Sequence, residues 1–129
     1  MSAPHGLQFE RASGCLIVRM IGKGIITQKK EATFKALAEA VGQQPIKALL
    51  VDMRGADGPY TFMDRYKIGE LTARHLSDIP IGALLSQAQV DPKRIGQLVA
   101  VNRGAQVEIF IDETAAFAWL KKYQQENPG

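Results

Sequence analysis

The chain has 129 residues, enough for one domain with a substantial core and too few for two ordinary ones. Hydrophobic residues at 46% and charged residues at 22% give a globular composition, which excludes a disordered or low-complexity chain. The net charge of +3 comes from scattered groups such as Lys29-Lys30, Lys93-Arg94 and Lys121-Lys122, not from the basic stripe with interleaved aromatics of a nucleic-acid binder.

In chain order, Leu7 to Glu10 and Cys15 to Ile21 read as strands joined through Ser13-Gly14, a hairpin signal. Gly22-Lys23-Gly24 breaks the second strand. Thr27 is then placed to cap a helix running to about Val41, with Phe34, Leu37, Ala38 and Val41 on one face and Gly42 at its end. Ile46 to Asp52 reads as the next strand. Thr61 opens the following helix, and Asp64 three residues on makes a variant of the capping box. On that helix Phe62, Tyr66, Gly69, Ala73 and Leu76 form the face expected in the core. Ile68 and Leu71 fall on the opposite side, as expected for a pocket lining, a docking face or a dimer seam.

After Pro80, Ile81 to Leu85 is a further apolar strand, and Asp91-Pro92 predicts a helix start with Ile95, Leu98, Val99 and Asn102 facing inward. Val107 to Ile111 alternates, with Val107, Ile109 and Ile111 on one side and Gln106, Glu108 and Phe110 on the other. Asp112 caps a last helix whose Ala116, Leu120 and Tyr123 share a face, before a polar tail from Gln124 to Gly129. Strands alternating with helices imply parallel pairing. The expected fold is α/β, a single mixed and mostly parallel sheet with an N-terminal antiparallel edge hairpin, as one domain over residues 1–129 with an ordered core of about 7–124.

Several stretches carry a family likeness: Gly24-Ile25-Ile26-Thr27 before the first helix, Ala48-Leu49-Leu50-Val51-Asp52 before the central loop, and Ala116-Phe117-Ala118-Trp119-Leu120 near the end. Together with the order of elements from Leu16 to Tyr123, they resemble the STAS group of bacterial anti-sigma factor antagonists and sulphate-transporter domains. The likeness is nearest to its SpoIIAA-like branch, often grouped with lipid-binding SEC14-type domains. It implies a SpoIIAA-like fold and a non-catalytic regulatory or binding role, through a protein partner or, alternatively, a lipid or other small apolar ligand. Anti-sigma factor antagonists carry a phosphorylated serine in an Asp-Ser-Ser-Gly type motif. The corresponding stretch here, Gly58-Pro59-Tyr60-Thr61-Phe62-Met63-Asp64, has no serine, so the phosphoswitch does not carry over as it stands.

Open α/β sheets place their sites beyond the carboxyl ends of strands. The expected working surface is therefore the Met53–Asp64 loop with the start of the next helix, and the candidate binding residues are Asp52, Arg54, Asp57, Tyr60, Thr61, Asp64, Ile68 and Leu71. Thr61 is a candidate phosphoacceptor, because a phosphate at a helix N-terminus meets free amides, although an N-cap role already explains it. Asp52 and Asp57 raise the idea of paired carboxylates, with burial lifting the pKa of Asp52 towards that of a base; anchoring of the loop is the commoner role of such an aspartate. Gly55-Ala56-Asp57-Gly58 lacks the glycine spacing of a dinucleotide loop and the lysine of a P-loop.

His75 in a last helical turn, His5 near the N-terminus and the lone Cys15 have no catalytic partner at readable spacing, so no catalytic residue, metal or cofactor is expected. No run of residues is apolar enough to span a bilayer and no signal-peptide core is visible, so a cytoplasmic protein is expected. Two criteria separate the functional readings: an apolar ligand calls for a concave pocket of several hundred Å³, and a partner calls for an exposed apolar patch. The sequential strand order that the resemblance implies would put all helices on one face. The apolar residues of the Cys15–Ile21 strand then need a cover on the other face, which suggests a homodimer.

Overall fold

A computed structural model describes residues 6–125; His5 and residues 126–129 lie outside them. Strand β1 (Leu7–Ala12) pairs antiparallel with β2 (Cys15–Lys23) through a turn in which Ser13 (φ 50°) and Gly14 (φ 82°) are both left-handed. A two-residue turn of that hand matches the twist of the strands it joins. Helix α1 (Lys30–Gly42), β3 (Leu49–Asp57), α2 (Phe62–Leu76), β4 (Pro80–Leu84), α3 (Ile95–Asn102), β5 (Gln106–Phe110) and α4 (Glu113–Gln125) follow. The strands lie in the order β1-β2-β3-β4-β5, with every pair after the hairpin parallel. The expected mixed sheet is therefore present.

Two boundaries differ from expectation. Thr27 does not cap α1, because residues 24–29 form a turn in which the amides of Gln28 and Lys29 both donate to the Gly24 carbonyl. The helix starts only at Lys30, and Gly42 is its last residue. Strand β3 runs past Asp52 to Asp57. A register shift between Arg19 and Ile21 lets Gly55, Ala56 and Asp57 go on pairing with Ile21, Gly22 and Lys23.

Alternation along the strands divides the core in two. Leu16, Val18, Met20, Leu49, Val51 and Ile81 face α1 and α2, where Phe34, Leu37, Leu71 and Leu76 meet them. Cys15, Ile17, Leu50 and Leu84 face the other way, onto Ala116, Trp119 and Leu120 of α4. The expectation that all helices share one face is thus corrected. A right-handed crossover constrains only a helix between two strands; α4 follows the last strand and is free to fold back across the bare side. It supplies the apolar cover from within the chain, which removes the ground for a homodimer on that face.

The faces of α2 and α3 also need correction. Leu71 is fully buried, whereas Phe62 is 59% exposed and Tyr66 half-buried. Phe62 is the first residue of α2, and helical side chains lean back towards the N-terminus, so its ring projects past the sheet edge. Gly69, Ala73 and Leu76 are buried as expected. On α3 the buried residue is Ala100, while Leu98 and Asn102 are exposed and Ile95 and Val99 half-buried. The inward side of α3 is the one that meets α2, where Gly96 and Val99 lie against Gly69. Ile109 is half-buried, and Ile111 lies beyond β5, exposed.

Candidate functional site

The end of β3 leads through a cis Gly58–Pro59 bond to Tyr60, whose hydroxyl donates to the Ala56 carbonyl at 2.6 Å. Burial pushes the Tyr60 phenol up from its usual pKa, with Gln89 acting in the opposite sense. Thr61 is the N-cap of α2. Its hydroxyl accepts from the Asp64 amide at 3.0 Å, and the Asp64 carboxylate accepts from the Thr61 amide at 2.8 Å. The capping box read from the sequence is therefore present. Lys30 lies 3.3 Å from the other Asp64 oxygen and ties the start of α1 to the start of α2. The Thr61 amide, followed by Thr61 and Lys30 side-chain contacts, holds the Asp64 carboxyl below the usual carboxylate range. On this fixed first turn Phe62 and Met63 are 59% and 64% exposed.

Asp52 and Arg54 point to the opposite face of the sheet, towards α4. The Arg54 guanidinium bridges Asp52 and Glu113 of α4 at 2.9 Å each. Burial by itself raises the pKa of Asp52, as expected, but the hydrogen bonds and charge of Arg54, with Arg19 behind them, outweigh it and leave the carboxyl below its ordinary value. The idea of an Asp52 general base is corrected accordingly: it is an anchored, ionised carboxylate. Asp57 is exposed at the strand end, in register with Lys23. The structure therefore brings Tyr60, Thr61 and Asp64 together, but separates Asp52 and Arg54 from them by the thickness of the sheet. Among the described residues no group of three or more His, Cys, Asp or Glu is placed to hold a metal ion. Cys15 is buried among apolar residues, which raises its thiol pKa.

A cavity of about 140 Å³ lies between the sheet and helices α1 to α3. Met20, Val51 and Ile81 form its floor, with Phe34, Leu37 and Ile68 from the helices. Its polar lining includes Tyr60, Arg65, Thr72, Gln89, Asp91, Arg94 and Gln97. Ile68 thus lines a pocket, one of its expected roles, while Leu71 does not. The volume is below the roughly 300–1,000 Å³ of drug-sized ligand pockets and close to the roughly 150 Å³ of an apolar cavity that binds benzene. Sequence reasoning missed Arg65, Gln89, Arg94 and Glu113, which are far apart along the chain. One signal was readable: Ser86 and Gln89 form a second capping box, which aims the Gln89 amide at the Met53 and Ala56 carbonyls.

The sequence matches no protein-family model, and no curated protein matches it. Solved structures do match. An anti-sigma factor antagonist from Mycobacterium paratuberculosis superposes with a TM-score of 0.61 at 16% identity, over 94% of this chain and 99% of the other. An uncharacterised protein from Shewanella loihica PV-4 with a SpoIIAA-like fold does so with a TM-score of 0.52 at 21% identity, over 93% of this chain and 98% of the other. The sequential sheet with its N-terminal hairpin, and these two neighbours, identify the architecture as the SpoIIAA-like fold.

Proposed function

We propose that the protein is a non-catalytic, cytoplasmic regulatory module that docks a protein partner at the first turn of α2. The observation that carries this reading is the exposure of Phe62 and Met63, 59% and 64%, side by side on a backbone fixed by the capping box. Large apolar side chains held at a rigid edge and rimmed by polar residues are the usual anchors of an interface. The fold likeness to an anti-sigma factor antagonist is in keeping with such a role. In this reading Thr61 and Asp64 keep the turn rigid, and Thr61 acts as a cap rather than a phosphoacceptor.

A photo-crosslinking residue in place of Phe62, in cells making the protein, is expected to trap a defined partner that is lost in the Met63→Ser background. The same residue in place of the exposed Lys121 serves as the control. Identical adducts from both positions, or none from position 62, overturn the docking surface. An adduct of twice the chain mass identifies a second copy as the occupant, and overturns the regulatory partner in favour of a homodimer.

A second reading, a small apolar ligand, is favoured by the cavity. Its walls are apolar side chains from β2, β3, β4 and three helices, and such a void lowers stability unless something fills it.

A further inference from the structure

We propose that the cavity under α1 to α3 binds a short amphipathic anion, an apolar group of about six carbons carrying one carboxylate. The inference rests on the small-ligand reading above and adds the charge and the size of the ligand. Size follows from the 140 Å³ volume, which takes a benzene-sized group and has no room for a long acyl chain.

Charge follows from the polar side chains that line the cavity. Most of them are already engaged by the protein's own backbone. The Tyr60 hydroxyl donates to Ala56, and the Thr72 hydroxyl donates to the Ile68 carbonyl at 2.8 Å. The Gln97 amide donates to Val107 at 2.9 Å, and the Gln89 amide group donates to Met53 and Ala56 while its oxygen accepts from Ser86. Arg65 and Arg94 differ. Both line the cavity, Arg65 half-buried and Arg94 exposed; among the described residues neither guanidinium makes a hydrogen bond or an ion pair within 4.0 Å. The charge of Arg65 is felt by Asp91, whose carboxyl it helps the Ile95 and Lys93 amides to hold below its ordinary pKa. Two planar forks of donors with no hydrogen-bonded protein acceptor, beside an apolar hole, fit a carboxylate better than a neutral head.

One acid also lines the cavity, and its effect must be weighed. The Asp91 carboxylate accepts from the Ile95 amide at 2.9 Å and the Lys93 amide at 3.1 Å, so both its oxygens are turned to the backbone at the start of α3. Asp64, near Arg65 in sequence, is paired with Lys30. The two arginines therefore leave the cavity lining with a net positive charge, and a monoanion neutralises it.

The test compares hexanoate and benzoate with 1-hexanol and with palmitate, by thermal shift and by methyl chemical shifts of the full chain. Hexanoate or benzoate is expected to bind about tenfold more tightly than 1-hexanol, and to move the methyl signals of Val51, Ile68 and Ile81. Replacing both arginines (Arg65→Gln with Arg94→Gln) should abolish that preference while leaving 1-hexanol binding intact. Equal binding of hexanol and hexanoate by the unaltered protein overturns the anion but leaves an apolar site. Tighter binding of palmitate overturns the size. If none of the probes moves those methyl signals at millimolar concentration, both this proposal and the small-ligand reading fall.

Discussion

Arg54 grips Asp52 from two positions further along the same face of β3, through Nε to Oδ1 at 3.0 Å and Nη2 to Oδ2 at 2.9 Å. The Arg54 amide donates to the same Oδ1 at 3.1 Å, and its guanidinium reaches Glu113 on the first turn of α4. The pair therefore fastens the end of the central strand to the helix that covers the second face. Since the folded pKa of Asp52 lies below its unfolded value near 4, the stability it contributes is fully present above about pH 4 and is lost as pH falls through the folded pKa. Asp64 and Asp91 are shifted in the same direction and share this acid limb.

Urea unfolding as a function of pH should show the Asp52 contribution directly. Asp52→Asn is expected to cost about 1–3 kcal/mol near pH 7, from the loss of charge-assisted hydrogen bonds. That is less than breaking a fully buried pair, since the Arg54 side chain is 37% exposed. The variant's stability should then fall less steeply than the parent's below about pH 4. Parallel acid limbs in the two proteins would show that Asp52 titrates alike folded and unfolded.

Thr61→Ala should lower stability by roughly 0.5–2 kcal/mol, because the Asp64 amide loses its acceptor and the reciprocal cap opens. Thr61→Asp should retain most of the stability, since a carboxylate also accepts at an N-cap and suits the helix dipole. Phosphate found on Thr61 in protein from cells would give this hydroxyl a second role, and the Thr61→Asp variant would then be expected to change partner binding as well.

How much of this was legible depends on where each constraint sits. Thr61 and Asp64 are three residues apart, so their mutual cap is written in local sequence. The alternation of Val107 and Ile109 with Gln106 and Glu108 follows from period, and parallel pairing from the helices between the strands, whereas the sequential strand order came with the family resemblance. The exposure of Phe62 was not legible, because periodicity cannot say where along the helix the sheet ends. The burial of Leu71 was not, because α2 is covered on two sides: Leu71 packs in the core under the sheet while Gly69 and Ala73 meet α3. Arg54 meeting Glu113, and Arg65 and Arg94 lining one cavity, depend on how α4 and α3 fold back, which no local pattern records.

The division of the core predicts separate responses on its two faces. Leu49 packs beneath α1 and α2, and Leu120 packs from α4; they are 0% and 1% exposed. Each truncation to alanine should cost about 2–5 kcal/mol. Only Leu120→Ala should speed reaction of the Cys15 thiol with a disulfide reagent under native conditions, because Cys15 lies in the α4 layer. Equal acceleration by Leu49→Ala would mean that the two layers open together.

The cavity makes a prediction independent of any ligand. Ala83, half-buried on β4, faces it between Val51 and Ile109 in the register. Filling it from there with a β-branched side chain, Ala83→Ile, adds apolar contacts at roughly 0.8 kcal/mol per buried methylene and suits a strand. A net gain of about 1 kcal/mol in urea unfolding is expected after some strain. A loss of more than about 1 kcal/mol would show that the space is too narrow or already occupied.

Gly69 shows how α2 and α3 approach one another. A Cβ added there would lie 2.5 Å from the Gly96 carbonyl oxygen and 2.8 Å from Cβ of Val99. Alanine is intrinsically better than glycine inside a helix by about 1 kcal/mol, so on propensity alone Gly69→Ala should stabilise. The clash is with backbone and with a β-carbon, neither of which can rotate away, so α3 must move off α2 as a unit. Both helices border the cavity through Ile68 and Ala100, and that movement should enlarge it. Gly69→Ala is therefore expected to lower stability by about 1–3 kcal/mol despite the better propensity, and to shift the methyl signals of Ile68 and Val99. A stabilised variant with unshifted methyl signals would mean that the two helices cross with more clearance than 2.5 Å allows.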